Sequence, residues 1–327
     1  MSWQNALACW YLRRHFRPET LKPHIDVERA RALTSKRVWA PRVPRGWHLR
    51  ETYGEHDAPL RGEWLERTDS VPAGTAEPVV LYFHGGGYYF CSPGTHRSLT
   101  FALAPRANAR LFSLDYRLAP EHRFPAALDD ATAAYRQLLV MGIAPSSIVI
   151  AGDSAGGGLA LATLVALRDA GDPLPAGGLL FSPWTDLATT GASIRNNDSV
   201  DPMFCGASIT RAAQVYLGDA PATHPYASPL YADLHGLPPL YMMAGSTEVL
   251  LDDARRVADN ARAAGVDCEC EVWKNVPHVW PMFAPFMPEA NCALDRAAAF
   301  VRRATSRATS AARAADAAQL SSVTSSV

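Results

Sequence analysis

Short apolar runs alternate with amphipathic stretches along most of the chain. VVLYFH (79–84), RLFSLDY (110–116), SSIVIAGD (146–153), GGLLFSP (177–183) and PPLYMMAG (238–245) are strand-length, and several are apolar at successive positions. Successive side chains of a strand point to opposite faces, so such runs predict strands covered on both sides. CECEVW (268–273) instead alternates, which places Cys268 and Cys270 on the buried face of a sixth strand. Between the runs lie helical patterns, RSLTFALAPRA, LDDATAAYRQLLV, AGGGLALATLVALRDAG and LLDDARRVADNARAAG. Strand and helix in alternation predict a doubly wound, mostly parallel sheet in one α/β domain over 46–303.

The flanks differ. Residues 1–45 carry Trp3, Leu7, Trp10 and Tyr11 at helical spacing, followed by many arginines and lysines. Two readings suit this pattern, a helix packed over another part of the protein and a helix lying on a membrane surface. From 304 the tail ATSRATSAARAADAAQLSSVTSSV has almost no large apolar residues, so 304–327 is expected to be disordered.

Composition narrows the function. The 327 residues are 48% hydrophobic and 19% charged, the balance of a globular protein with a sizeable core. Basic residues (31) nearly cancel acidic ones (32), so nothing in the charge calls for a nucleic-acid partner. The six cysteines are scattered without a spacing that suits zinc, so no metal or other cofactor is expected. No apolar stretch reaches the roughly 18 residues of a membrane span, and the start lacks a secretory pattern. The expectation is a cytoplasmic protein with no integral membrane segment.

Chemistry enters at AGDSAGGG (151–158). Gly-x-Ser-x-Gly can be a small polar residue in a tight turn, but here Ser154 stands where the run SIVIAGD gives way to the helical AGGGLALATLVAL. A serine on a sharp strand-to-helix turn is the setting of a nucleophile elbow, with glycines where neighbouring elements come close. Upstream, HGGG (84–87) closes the strand VVLYF. N–H groups of Gly85, Gly86 and Gly87, with that of Ala155, would stabilise the oxyanion of an acyl-transfer intermediate. The other reading is a glycine-rich hairpin or phosphate loop, against which stand the absence of a following Gly-Lys-Ser/Thr and the apolar Tyr88, Tyr89 and Phe90.

A serine hydroxyl needs a base, and the base needs an orienting acid. After an elbow serine the chain order is acid, then histidine. Among the ten histidines His278 alone lies beyond the last strand, in VPHVWPMF. The acid belongs after PPLYMMAG, in STEVLLDDARR, where Glu248 comes first in the loop. Asp252 and Asp253 compete, but fall in the first turn of the following helix, where carboxylates favour the helix dipole.

HGGG, GDSAGG, an acid loop and a late histidine, together with DYRLAPEHRFPAALDDA (115–131), SPWTDL (182–187) and LPPLYMMAGSTEVLLDD (237–253), resemble the bacterial hormone-sensitive-lipase-like carboxylesterases, GDSAGG type, over about 40–300. The resemblance implies an α/β-hydrolase fold with a helical cap built from 1–45 and an insertion at about 190–225. It implies Ser154 as nucleophile, His278 as base and Glu248 as acid, where an Asp is commoner. Gly85 and Gly86 are favoured over Gly87 as oxyanion donors beside Ala155. Tyr88, Tyr89, Met203 and Phe204 are expected to line the acyl pocket. A small-molecule ester is the expected partner, and a homodimer through CECEVW and the last helix is possible by the same analogy. Asp153, Asp115 and Arg117 are read as loop-holding residues. Amide or N-acyl hydrolysis by the same triad is the rival activity; a non-catalytic small-molecule binder of the same fold disfavours itself by retaining His278.

Overall fold

The computed structural model describes residues 1–35, 41–54, 58–69 and 77–324. Eight strands, β1 (Trp47–Thr52), β2 (Gly62–Arg67), β3 (Val79–Phe83), β4 (Arg110–Leu114), β5 (Ile148–Asp153), β6 (Gly177–Phe181), β7 (Leu240–Gly245) and β8 (Cys268–Trp273), form one sheet in the order β1-β2-β4-β3-β5-β6-β7-β8. From β4 to β8 every pairing is parallel, while β1 and β2 join the edge antiparallel. The five apolar runs and the alternating CECEVW are thus the parallel strands. β1 reads as polar because WHLRET sits at the open edge with His48, Arg50 and Glu51 exposed, whereas β2 (GEWLER) is buried over Gly62–Leu65 and has only Trp64 and Leu65 as large apolar residues.

Among the described residues ten α-helices accompany the sheet: α1 (Trp3–His15), α2 (Arg17–Thr20), α3 (Val27–Ser35), α4 (Arg97–Ala107), α5 (Ala126–Val140), α6 (Ala155–Asp169), α7 (Ser193–Asn196), α8 (Gly206–Leu217), α9 (Leu251–Ala263) and α10 (Pro288–Thr324). The period of two divides each strand between two cores. Val79, Leu81 and Phe83 face α5, α6 and α9, whereas Val80 and Tyr82 face α4 and α10. Fully burying one such side chain contributes about 1.5–3 kcal/mol, so coverage of both faces is what fixes the centre of the sheet. No helix among the described residues is long and apolar enough to cross a membrane.

Two expectations change. The chain beyond 303 is helical through Thr324 rather than disordered. Ala304 and Thr305 are buried against the domain, and the alanine-rich sequence propagates at little cost once the docked part of α10 has nucleated it. At the other end, the face of α1 that packs inward is Asn5, Ala8 and Leu12, while Trp3, Leu7, Trp10 and Tyr11 point outward. Its anchorage is polar: Asn5 donates to the Asn275 carbonyl at 3.0 Å, and the Ser2 hydroxyl and backbone N–H each donate to Glu289 at 2.7 Å.

The N-terminal helices also hold the segment between β6 and β7. Arg17 donates to the carbonyls of Asp198 (2.5 Å), Asp201 (3.1 Å) and Phe204, and Arg13 to those of Ser199 and Val200. Arg211 on α8 returns a bond to the Thr20 carbonyl at 2.7 Å.

Candidate active site

Ser154 stands between β5 and α6 with φ 52° and ψ −121°, a left-handed backbone that an L residue adopts only under constraint. The constraint is visible. Its N–H donates to the Phe181 carbonyl at 2.9 Å, and its carbonyl accepts from Gly158 (3.0 Å) and Trp184 (2.9 Å). A Cβ on Gly152 would run into the Gly156 carbonyl, and one on Gly156 into that of Phe83, so the turn closes only with glycine at both places. Ser154 remains half-buried, reachable from outside.

His278 lies in the loop after β8 and is buried. Its Nδ1 donates to Glu248 Oε2 at 2.6 Å. The other Glu248 oxygen accepts from Ser182 Oγ at 2.7 Å and from the Gly245 N–H, so the carboxylate is fixed on both sides. Nε2 of His278 is buried without a hydrogen-bond partner among the described residues. Burial alone would depress the imidazole, but the Glu248 carboxylate, supported by Asp201 and Asp153, outweighs it and raises its pKa above the ordinary value. A ring with Nδ1–H committed to a carboxylate presents an Nε2 lone pair, the acceptor a nucleophilic hydroxyl requires.

The competing carboxylates are engaged elsewhere. Asp252 accepts from the Ser193 N–H at 2.8 Å, and Asp253 from those of Thr185 (2.7 Å) and Asp186 (2.8 Å). Of the three acids after β7, only Glu248 meets His278.

The oxyanion expectation is corrected at one residue. The Gly85 N–H is already donated to Asp153 Oδ1 (3.0 Å), with His96 Nε2 at 3.3 Å, in a fully buried cluster. It is therefore spent on holding the loop. The N–H groups of Gly86 and Gly87 have no protein acceptor among the described residues, and both glycines have positive φ (114° and 59°). Ala155 opens α6, where backbone N–H groups lack intrahelical partners.

Behind the loop lies a layer the motifs only hinted at. Tyr82 OH donates to Asp153 Oδ1 at 2.6 Å, and His96 Nε2 stands 3.2 Å from Oδ2. Burial would push the Asp153 carboxyl up, but the His96 ring and the Tyr82 hydroxyl hold it below its ordinary value. His84, pushed down to about 3 by burial with His96 adding, is neutral and stacks on Tyr116 at 4.4 Å. Asp153, immediately before the serine, thus ties the elbow to the glycine loop, while Asp115 pairs with Arg61 and Arg117 with Asp130 as loop holders.

Of the expected pocket residues, Tyr88 is misplaced. It is 2% exposed, and φ 67° turns its ring into the core, stacked on Tyr216 at 3.7 Å. Tyr89 is partly buried beside Gly87. Phe204 meets the His278 ring edge-on at 5.1 Å, and Met203 precedes it. Both owe their place to Asp201, a residue the motifs did not single out. Its Oδ1 accepts from the N–H groups of Met203 (2.7 Å) and Phe204 (3.0 Å), and its Oδ2 from Val249 at 2.8 Å, next to the acid. Ser182 likewise went unnoticed inside SPWTDL, although it holds both Glu248 and the Val279 N–H (3.2 Å).

Comparison with known proteins places the chain in a family. Residues 80–282 match the model of a family described as having the alpha/beta hydrolase fold. An acetyl-hydrolase of Streptomyces hygroscopicus is 46% identical over 243 residues, which cover 74% of this chain and 80% of the relative. The chain belongs to the α/β-hydrolases. An esterase of Acinetobacter venetianus is 37% identical over 244 residues, 74% of the chain and 79% of the relative. The crystal structure of an esterase from the bacterial hormone-sensitive lipase family superposes with a TM-score of 0.84 at 40% identity, covering 93% of this chain and 99% of that one. This hydrolase is of that esterase branch, and its activity is carboxylic ester hydrolysis.

Proposed function

We propose that this carboxylesterase acts through an acyl-enzyme on Ser154, with His278 as base, Glu248 as the acid that orients it, and the N–H groups of Gly86, Gly87 and Ala155 as oxyanion donors. The observation that carries the reading is the His278 ring, whose Nδ1 is bound to Glu248 at 2.6 Å while its buried Nε2 has no partner among the described residues.

Ser154 Oγ attacks the ester carbonyl as its proton passes to Nε2, and the negative charge on the former carbonyl oxygen settles on the backbone donors. The imidazolium returns that proton to the departing alkoxide, giving the alcohol and the acyl-enzyme. Water then adds by the same route and releases the acid and free Ser154. One oxyanion donor is worth about 3 kcal/mol of barrier, so two glycine N–H groups and the helix end lower it appreciably.

The N-terminal segment 1–45, of which 36–40 lie outside the described residues, and the insertion at about 190–225 serve as a cap over the domain at 46–303. Phe204 and Met203 narrow the space beside His278, with Tyr89 beside the oxyanion loop, which favours short to medium acyl chains. All six cysteines are free thiols, which supports the cytoplasmic placement.

The test is hydrolysis of p-nitrophenyl esters from acetate to palmitate by the intact protein and by Ser154→Ala. The reading requires cleavage greatest at short to medium chains and lost in the variant. Equal activity of the two proteins would refute it.

A further inference from the structure

A helix packed on a domain ordinarily turns its aromatic residues inward, and α1 does the reverse. Trp3 (67% exposed), Leu7, Trp10 (59%) and Tyr11 form its outward stripe. Phe286, beyond the His278 loop, extends the patch and meets Trp3 edge-on at 5.7 Å. Exposed apolar surface gathered in this way marks an interaction site.

The helix itself is cationic: Arg14 lies within the stripe and Arg13 beside it, no acidic residue occurs before Glu19, and the carboxylate at the helix start, Glu289, is taken up by the Ser2 N–H and hydroxyl. Arg13, Arg14 and Arg17 make no ion pair with a carboxylate among the described residues; Arg13 and Arg17 bond only to carbonyls. Their charges therefore remain to be balanced from outside.

We propose that the outward face of α1, with Phe286, docks on a lipid–water interface bearing anionic headgroups. Tryptophan and tyrosine have an apolar body and a polar tip suited to that boundary, and arginines beside them attract anionic lipid. A second copy of the chain is the poorer occupant, because a two-fold interface through this face would bring the same unpaired arginines together.

Continuity with the active site gives the docking a consequence. The helix that carries the aromatic face also carries Arg13, which with Arg17 grips the carbonyls of 198–204, and Phe204 of that segment rests against His278. Docking would set the loop beside His278 against the interface, where acyl esters partition. Binding to such an interface does not depend on the roles of Ser154, Glu248 and His278.

The experiment is co-sedimentation of the full chain with vesicles of phosphatidylcholine, alone or mixed with phosphatidylglycerol, at low and high salt. The comparison proteins are the triple variant Trp3→Ser, Trp10→Ser, Tyr11→Ser and the charge reversal Arg14→Glu. The intact protein should bind the phosphatidylglycerol vesicles, bind phosphatidylcholine weakly, and dissociate at high salt. Either variant should bind at least about tenfold more weakly while hydrolysing soluble p-nitrophenyl acetate at the same rate. No binding to anionic vesicles, or equal binding by the triple variant, would overturn the proposal. So would elution of the intact protein as a dimer that the triple variant converts to monomer, which would assign the face to a second copy.

Discussion

Replacing Glu248 by Gln tests the orientation of His278 with little change in volume. The buried carboxylate accepts three hydrogen bonds, from His278 Nδ1 (2.6 Å), Ser182 Oγ (2.7 Å) and the Gly245 N–H. Glutamine has one acceptor oxygen and one NH2. If the oxygen stays on Gly245 and Ser182, the NH2 faces Nδ1, and the ring favours the tautomer with its proton on Nε2. That proton occupies the position that must accept the one from Ser154. A wrong tautomer in such a triad costs about 10⁴ in rate, or about 5.5 kcal/mol of barrier at 1.36 kcal/mol per decade. The acid limb moves as well. His278 is held above its ordinary pKa by the carboxylate against the opposing effect of burial, so removing the charge leaves burial in command and shifts the limb to lower pH. The assay is kcat/KM for p-nitrophenyl butyrate between about pH 5 and pH 9, with circular dichroism to confirm the fold. Activity of Glu248→Gln within about tenfold of the intact protein, or an acid limb displaced to higher pH, would refute the reasoning.

Three further outcomes follow from the same structure. Asp153→Ala releases the Gly85 N–H and Tyr82 OH, so kcat should fall by about 10²–10³ through a misplaced oxyanion loop with a smaller change in KM, as steady-state kinetics would show. Gly156→Ala drives a Cβ into the Phe83 carbonyl and should yield inactive, poorly folded protein, whereas Gly142→Ala, in open space though also of positive φ, should cost about 1–2 kcal/mol by denaturant titration and leave activity intact. Asp253 is raised to about 8, by burial first and by neighbouring Asp186, so the native state favours its protonated form; its contribution to stability is full below about pH 4 and is lost as pH rises through about 8. Asp253→Asn, which keeps an oxygen for the Thr185 and Asp186 N–H groups, should therefore be more stable than the intact protein at about pH 9 in urea melts, and a less stable variant there would contradict the assignment.

Sequence pattern revealed the parallel sheet because its strands are covered on both faces, and continuous apolar runs have no other simple explanation. It missed β1 because that edge strand keeps His48, Arg50 and Glu51 exposed, and β2 because its two polar and charged ends, GE and ER, leave only Trp64 and Leu65 as an apolar signal. The strand-to-helix turn singled out Ser154 and chain order singled out His278 as candidates. The acid was legible only as a choice among Glu248, Asp252 and Asp253, since three carboxylates within six residues differ by where the loop turns them. Tertiary contacts decided two other points. Gly85 lost its expected role to Asp153, and Tyr88 was turned from the pocket into the core by a single positive φ. Asp201 escaped notice because its work is hydrogen bonding between two distant loops, which no local motif records. The outward stripe of α1 had the right periodicity, but periodicity does not say which face meets the protein.

The most direct test of the account is the site of covalent capture. The intact protein would be treated with diethyl p-nitrophenyl phosphate, which transfers a diethylphosphoryl group to an activated serine and releases p-nitrophenolate, and the modified peptide would be mapped by mass spectrometry. The account predicts one adduct, on Ser154, with loss of activity in proportion to labelling and no adduct in Ser154→Ala or His278→Ala. Inactivation with the label on any other residue, or labelling of Ser154 that leaves activity unchanged, would contradict it.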